Sequence, residues 1–203
     1  MEIVTPNWQR TLRMKSWTEG KEKTLIRLLS PPKEEGTATL RLGNEMWNYL
    51  PRANKIMKIP PSMMMSSWMG SDFTNDDLVK EFTFLDDYVY EFAQPEDAKP
   101  DLLYIAFIPK EGLPVVWGKI VAAVNKDNYL PEWDRYYDEK GRLMRVINFR
   151  DVKDFDGRLI PAVMEIVPQD KKDQKTVLRY IKAEFNNAIP EDVFSLRNLR
   201  SRQ

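Results

Sequence analysis

The feature of this sequence that most constrains its fold is a succession of short segments in which apolar and polar residues alternate, separated by turn residues. Residues 37–42 alternate in this way, and Gly43-Asn44 then supplies a tight hairpin turn. The return strand places Trp47 and Tyr49 on one face, and it carries apolar residues on the other face as well. The pattern therefore predicts a hairpin whose return strand carries apolar residues on both faces.

Further segments of the same kind predict a long antiparallel meander. The predicted strands are residues 8–17, 23–29, 102–109, 115–124, 130–138, 142–152, 159–167 and 176–185. Short turns such as Lys140-Gly141 and Asp156-Gly157 favour antiparallel pairing, because parallel neighbours need long crossovers. Helix signals occur near residues 74–78, which carry a capping-box pattern, and at residues 189–199. We expect one mainly β domain across residues 1–203.

The absence of histidine and cysteine from the chain removes the commonest general bases, nucleophiles and soft-metal ligands. Lys plus Arg and Asp plus Glu both number 31, so no net charge attracts nucleic acid. The longest uncharged stretch, residues 59–71, contains two prolines and falls short of the roughly 18 apolar residues of a membrane span. We expect no catalytic residue, no metal, no cofactor and no stable membrane insertion.

Carboxylates offer the one enzymatic alternative. A glycosidase needs two carboxyl groups about 5–10 Å apart. The candidates for such a pair are Asp86, Asp87, Glu132 and Asp134. Chance pairs are common among surface carboxylates, so we favour a protein that is not an enzyme.

Methionine is concentrated in residues 56–70, which hold five of the chain's 10 methionines. Its flexible, polarizable side chain adapts to ligands of variable shape, such as acyl chains. The structural alternative is that these methionines close one end of a β-barrel. Six tryptophans are spread along separate segments, and we expect most of them in the core, with Trp47 and Trp68 as the exceptions.

Several blocks of the sequence resemble the LolA-like outer-membrane lipoprotein-sorting proteins. They are SPPKEEGTATL at residues 30–40, EMWNYLP at 45–51, MGSDF at 69–73 and DDL at 76–78. The resemblance implies a strongly curved antiparallel sheet, an unclosed β-barrel, with two or three short helices covering its concave apolar face. It also implies a periplasmic protein. Members of this family usually begin with an export signal and a helix before the first strand, whereas this sequence starts almost directly at a predicted strand. We therefore expect that the export signal and the N-terminal helix are absent from residues 1–203.

From this resemblance we predict a carrier that binds the acyl chains of a lipoprotein or lipid in a hydrophobic cavity and transfers them towards the outer membrane. Its partners would be an inner-membrane exporter and an outer-membrane acceptor. The alternative is an envelope-stress sensor or protein-interaction module that uses the same curved sheet. The residues predicted to contact the ligand are Trp47, Tyr49, Met57, Ile59, Met63, Met64, Met65, Trp68, Met69 and Phe73.

Overall fold

The computed structural model describes residues 1–80, 87–112 and 117–201, and over these residues the protein is mainly β. Its sheets are antiparallel and unclosed and its helices are short, so the predicted fold class is confirmed. The strands are β1 (Glu2–Val4), β2 (Gln9–Thr11), β3 (Arg13–Glu19), β4 (Lys23–Ser30), β5 (Ala38–Leu42), β6 (Glu45–Leu50), β7 (Lys55–Lys58), β8 (Tyr88–Phe92), β9 (Leu102–Pro109), β10 (Lys119–Asn125), β11 (Pro131–Tyr137), β12 (Leu143–Phe155), β13 (Arg158–Pro168) and β14 (Lys175–Arg179). The helices are α1 (Asn75–Lys80), α2 (Leu196–Leu199) and 3-10 helices at Pro51–Ala53, Pro61–Met63 and Glu191–Phe194.

Two compact units divide the chain. The first comprises Met1–Ile3, Gln9–Thr83 and Asn186–Gln203, and the second comprises Val4–Trp8 and Phe84–Phe185. In the first unit, β3 to β7 form a five-stranded antiparallel sheet in chain order. In the second unit, β8 to β14 also lie side by side in chain order. The expectation of a single domain stays a prediction.

Tight turns set the register of the five-stranded sheet. Gly43 has the positive φ of 58° that favours glycine in the β5–β6 turn, and Leu40 pairs with Trp47 across the hairpin. Leu25 on β4 and Lys58 on β7 extend this row on either side. Successive residues of a strand alternate between the two faces of the sheet. We call the face that carries Leu25, Leu40 and Trp47 the first face.

The C-terminal segment covers the first face. Phe194 and Leu199 are buried there against apolar side chains of β4, β5 and β6. The helix predicted across residues 189–199 is divided in the structure into a 3-10 helix and α2, because Ser195 between them is extended (φ −128°, ψ 152°). The Ser195 hydroxyl accepts a hydrogen bond from the Asn198 amide, and this N-cap starts α2.

The opposite face of the sheet, which we call the second face, also carries buried apolar side chains. Met46 is buried there against Ile59, and Met64 packs beside them. The predicted capping box stands at the start of α1. The Thr74 amide donates to Asp77 Oδ2 (2.8 Å), and the Asp77 amide donates to Thr74 Oγ1 (3.1 Å). The capping box is therefore confirmed, as are the apolar residues on both faces of β6, where Tyr49 and Met46 are buried on opposite sides.

Several strands differ from the prediction. β1, β7 and β8 lie outside the predicted strands, because runs of three to five residues give too few alternations to be distinguished from loops. The predicted strand 8–17 is divided into β2 and β3 at the buried Leu12, whose amide donates to the Met1 carbonyl (2.7 Å). Residues 113–116 lie outside the described residues, so the predicted strand 115–124 is described from Lys119 in β10.

The last predicted strand, residues 176–185, is shorter in the structure and ends as β14 at Arg179. The Tyr180 amide still donates to the Ala162 carbonyl (2.8 Å), but the chain then leaves the ladder. The Phe185 amide donates to Asp156 Oδ2 (3.1 Å) in the β12–β13 turn. This long-range contact is not readable from strand periodicity.

Candidate functional site

The residues predicted to contact a ligand lie in several parts of the first unit. Trp47 is partly buried on the first face, and Tyr49 is buried there with its hydroxyl 3.2 Å from Asn54 Oδ1. Ile59 and Met64 pack with Met46 at the second face. The structure therefore divides this set between the two faces of the sheet.

The remaining predicted contacts differ in exposure. Met57, Met63 and Met65 are exposed, and the last two keep 47% and 48% of their accessible surface. Met69 packs against the cluster of Ile3, Leu12 and Leu28, and Phe73 is partly buried. The predicted binding set as a whole stays a prediction.

Trp68 has a structural environment that the sequence pattern did not reveal. Its side chain is only 3% exposed, and its indole Nε1–H donates to Thr39 Oγ1 (3.0 Å). The Thr39 hydroxyl donates in turn to Asn48 Oδ1 (2.7 Å). These two hydrogen bonds give the buried polar groups of Trp68 and Thr39 their partners, and they attach the methionine-rich segment to the second face of the sheet.

We expect Thr39→Val to destabilise the protein by about 1–3 kcal/mol, because the isosteric change leaves the Trp68 N–H and the Asn48 carbonyl without their partner. Urea unfolding followed by tryptophan fluorescence measures this loss. The exposed Thr18 on β3 provides a matched control, since Thr18→Val changes the free energy of unfolding by no more than about 0.5 kcal/mol. Equal stability of the two variants would contradict the structural role of this hydrogen-bond chain.

A cleft of about 570 Å³ lies beside the first face. Its lining residues come from β6, β7 and the C-terminal segment: Trp47, Ile56, Lys58, Leu196, Arg197 and Arg200. This volume falls within the roughly 300–1,000 Å³ that is typical of ligand sites. Trp47 is the predicted ligand contact that lines the cleft, whereas its other walls were not predicted.

The strand wall of the cleft follows from β register. Trp47 pairs directly with Lys58, and Tyr49 pairs with Ile56, so these side chains belong to one face. The Lys58 ammonium lies 5.6 Å from the centre of the Trp47 ring and forms an ion pair with Glu45. Trp47 and Ile56 also pack against the buried cluster beneath. The result is an apolar wall with a cation at its edge.

The helical wall is held in place by a buried arginine. Arg27 is 3% exposed on the first face, and its guanidinium donates to the carbonyls of Asn198 (2.8 Å) and Ser201 (2.5 Å). Burial lowers the pKa of Arg27 from its ordinary value. These bonds satisfy carbonyls at the C-terminal end of α2 and fix the segment that carries Arg197 and Arg200.

The second unit contains a smaller and more apolar cavity of about 280 Å³. It lies where residues after β14 leave the sheet, and its lining consists of Pro131, Phe149, Ile160, Pro161, Met164, Tyr180, Ala183 and Phe185. The lining offers the Tyr180 hydroxyl as its one ionisable group. Of these two cavities, the larger cleft therefore has the more polar lining.

Asp134 is a carboxyl group in an apolar setting. In the sheet of the second unit it pairs with Ala122 on one side and Ile147 on the other. Burial raises its pKa to about 7, against the opposing effect of the positive charge on Arg145. Of the other carboxylates in the glycosidase alternative, Glu132 is exposed, and Asp86 lies outside the described residues.

Over the described ranges 1–80, 87–112 and 117–201, no group of three or more acidic, His or Cys side chains is arranged to hold a metal ion. Nor do these ranges contain a helix long and apolar enough to cross a membrane.

Four lining residues of the larger cleft could be anticipated only in part from the sequence. Ile56 and Lys58 alternate on a strand too short to predict, and Arg197 and Arg200 are one helical turn apart in a segment predicted to be helical. The amphipathic character of residues 196–200 was the available signal, because Leu196 and Leu199 alternate with the two arginines. The sequence did not indicate that this helix and β7 line the same cleft.

Comparisons with known proteins place the fold. A family model whose description reads "Uncharacterized protein" matches residues 20–201. The chain is similar to the crystal structure of a DUF1329 family protein from Desulfovibrio piger, with a TM-score of 0.86 and 25% identity over 98% of this chain and 88% of that chain. No curated protein matches the chain.

Two further structures carry the LolA comparison. One is an outer-membrane lipoprotein-sorting protein domain from Vibrio parahaemolyticus, with a TM-score of 0.79 and 22% identity over 98% of this chain and 89% of that chain. The other is a LolA superfamily protein from Nitrosomonas europaea, with a TM-score of 0.78 and 20% identity over 97% of this chain and 88% of that chain. These two similarities show a shared fold, and the predicted LolA-like fold is confirmed.

Proposed function

Since this chain belongs to the family of uncharacterized proteins matched over residues 20–201 and has the fold of the LolA superfamily, we propose that it is a periplasmic carrier and not an enzyme. Its cargo is the acyl portion of a lipoprotein or lipid. It receives this cargo from an inner-membrane exporter and delivers it to an acceptor at the outer membrane.

The observation that carries this proposal is the apolar cleft on the first face. Trp47, Ile56 and Leu196 supply apolar side chains to the lining of a cleft whose volume is large enough for part of an acyl chain. Each methylene removed from water contributes about 0.8 kcal/mol, so eight buried methylenes contribute roughly 6 kcal/mol before ordering costs. Such binding is reversible, as transfer to an acceptor requires.

Native mass spectrometry tests the proposal on the purified chain. A carrier retains added long-chain fatty acid or lysophospholipid as a discrete mass increment of one ligand per chain. Organic extraction of the same sample then identifies the acyl species. A spectrum that stays at the mass of the protein alone, at ligand concentrations well above the protein concentration, would contradict the carrier function.

We expect Leu196→Gln to weaken the uptake of a fluorescent long-chain fatty acid about fivefold to tenfold, because it removes apolar contact area from the cleft without changing charge. Leu196 is exposed on α2, so the fold tolerates this change. Leu159→Gln is the matched control, since Leu159 is also exposed and lies outside the lining of both cavities. Equal uptake by the two variants would remove the cleft from the proposed function.

A second candidate function, that of an envelope-stress sensor or interaction module, is favoured by β8. Among the described residues this strand has β9 as its only neighbour, so it forms an edge of its sheet. Tyr90 and Phe92 on it are 68% and 80% exposed. An exposed apolar edge strand can add an extended segment of another protein as a further strand. This module would bind apolar peptides and leave acyl ligands unbound in the mass-spectrometric test.

A further inference from the structure

The cationic side chains of the larger cleft go beyond what an acyl chain needs. Lys58, Arg197 and Arg200 line it together, and Glu45, the partner of Lys58, is the one carboxylate paired with them among the described residues. Three positive charges and one negative charge leave a local excess of two positive charges. The whole chain is balanced, with 31 basic and 31 acidic residues, so this excess is local.

The two arginines are arranged as a pair. Arg197 and Arg200 are three residues apart, which places them as neighbours on one side of a helical turn. Both are exposed, and within the part of the chain that the structure describes neither lies within salt-bridge distance of a carboxylate. Guanidinium groups donate in a planar fork that matches carboxylate and phosphate oxygens.

The cations lie at the border of the apolar wall. Lys58 on β7 pairs with Trp47 on β6, and its ammonium lies 5.6 Å from the centre of the Trp47 ring. Arg197 directly follows Leu196 in α2, so charge and apolar surface adjoin on the helical side as well. Both walls of the cleft therefore combine an apolar part with a cationic part. A ligand that satisfies both parts has a hydrocarbon chain and an anionic head.

We propose that the cargo of this cleft is an anionic amphiphile, whose carboxylate or phosphate head is bound by Arg197 and Arg200 with Lys58 beside them. This inference rests on the proposed carrier function and specifies its ligand. The hydrocarbon chain contacts Trp47 and Leu196, and the head stays at the solvent-exposed edge. The arginines keep their hydration until the head arrives, so they select charge without the cost of a buried unpaired ion.

Three probes with the same 18-carbon oleoyl chain test the inference by isothermal titration calorimetry below their micellar concentrations. Oleate has a carboxylate head, oleoyl lysophosphatidate has a phosphate head, and monoolein is uncharged. We expect both anions to bind about tenfold more tightly than monoolein at low salt, with the advantage decreasing as NaCl screens the cleft. The order of the two anions distinguishes a carboxylate cargo from a phosphate cargo.

The double variant Arg197→Gln/Arg200→Gln is expected to bind both anions about tenfold more weakly and to bind monoolein as before. Arg13→Gln/Arg179→Gln is the matched control, because both arginines are exposed and outside the cleft lining. Equal binding of all three probes by the unmodified protein would overturn the anionic cargo and leave the carrier function standing. Failure of all three probes to bind would overturn both.

Discussion

Replacement of Asp134 by asparagine is expected to stabilise the protein at pH 8 by about 2–4 kcal/mol. The raised pKa of the carboxyl group sets the upper end of this range, and its partial exposure to solvent sets the lower end. Asp134 lies between Ala122 and Ile147 on neighbouring strands, where its charge loses hydration. Arg145 offsets this cost only in part. An amide has the same shape and carries no charge to bury.

The expected pH dependence has a definite sign. The pKa of Asp134 is raised to about 7 in the folded protein, whereas an aspartate in the unfolded chain titrates near about 4. Between these values the folded state holds a proton that the unfolded state has released, so this group lowers stability as pH rises. The advantage of Asp134→Asn is therefore small near pH 4, grows between about pH 4 and pH 7, and is constant above that range.

Urea unfolding of both proteins from pH 4 to pH 8 measures this difference. Asp138→Asn provides the contrasting control, because hydrogen bonds from the backbone amides of Arg142 and Lys140 and from the Arg142 side chain lower the pKa of Asp138. That variant gains no stability at pH 8. A stability difference between Asp134→Asn and the unmodified protein that does not change with pH would contradict the raised pKa.

Phe194→Ala is expected to destabilise the first unit by about 3–5 kcal/mol, the usual cost of removing a buried phenyl ring from a core. Phe194 packs with Leu25, Leu40 and Tyr49 on the first face. Its loss also weakens the attachment of α2, and with it the helical wall of the cleft. Thermal or urea unfolding gives the stability change, and hydrogen exchange over residues 189–201 reports the release of the segment.

Leu196→Ala is the control for this prediction, because Leu196 belongs to the same segment but is exposed. Its effect on the free energy of unfolding stays within about 0.5 kcal/mol. If Phe194→Ala were as mild, the C-terminal segment would not be part of the core. Loss of fatty-acid uptake together with increased exchange in Phe194→Ala would connect the docking of α2 with binding.

Prediction from sequence succeeded where a few neighbouring residues decide the structure. The hairpin through Gly43 and the long β12–β13 hairpin through Asp156-Gly157 follow from alternation and turn chemistry. The capping box at Thr74 and Asp77 also needs only local backbone geometry. The expectation of LolA-like architecture came from short blocks of sequence, and the fold agrees with it.

The candidate site was predicted less completely. Trp47 lines the cleft, whereas Trp68 is part of a buried hydrogen-bond chain. Met64 packs against core residues while Met63 and Met65 stay exposed, so one run of methionines serves different environments. Composition indicated an adaptable apolar segment, but it could not assign each side chain to a face. Residues in a loop do not alternate with a fixed period, so their order in the sequence does not show which face each side chain contacts.

The amino-acid sequence by itself determined most of the strands, their antiparallel pairing, the apolar residues on both faces of β6 and the lack of histidine and cysteine chemistry. Only the tertiary structure decided that the C-terminal segment meets the first face, where Arg27 bonds Asn198 across 171 residues of chain. It also decided the cationic edge of the cleft and the raised pKa of Asp134. The physical reason is range: alternation and turns act over a few residues, whereas a cleft and a desolvated charge depend on surfaces that distant segments bring together.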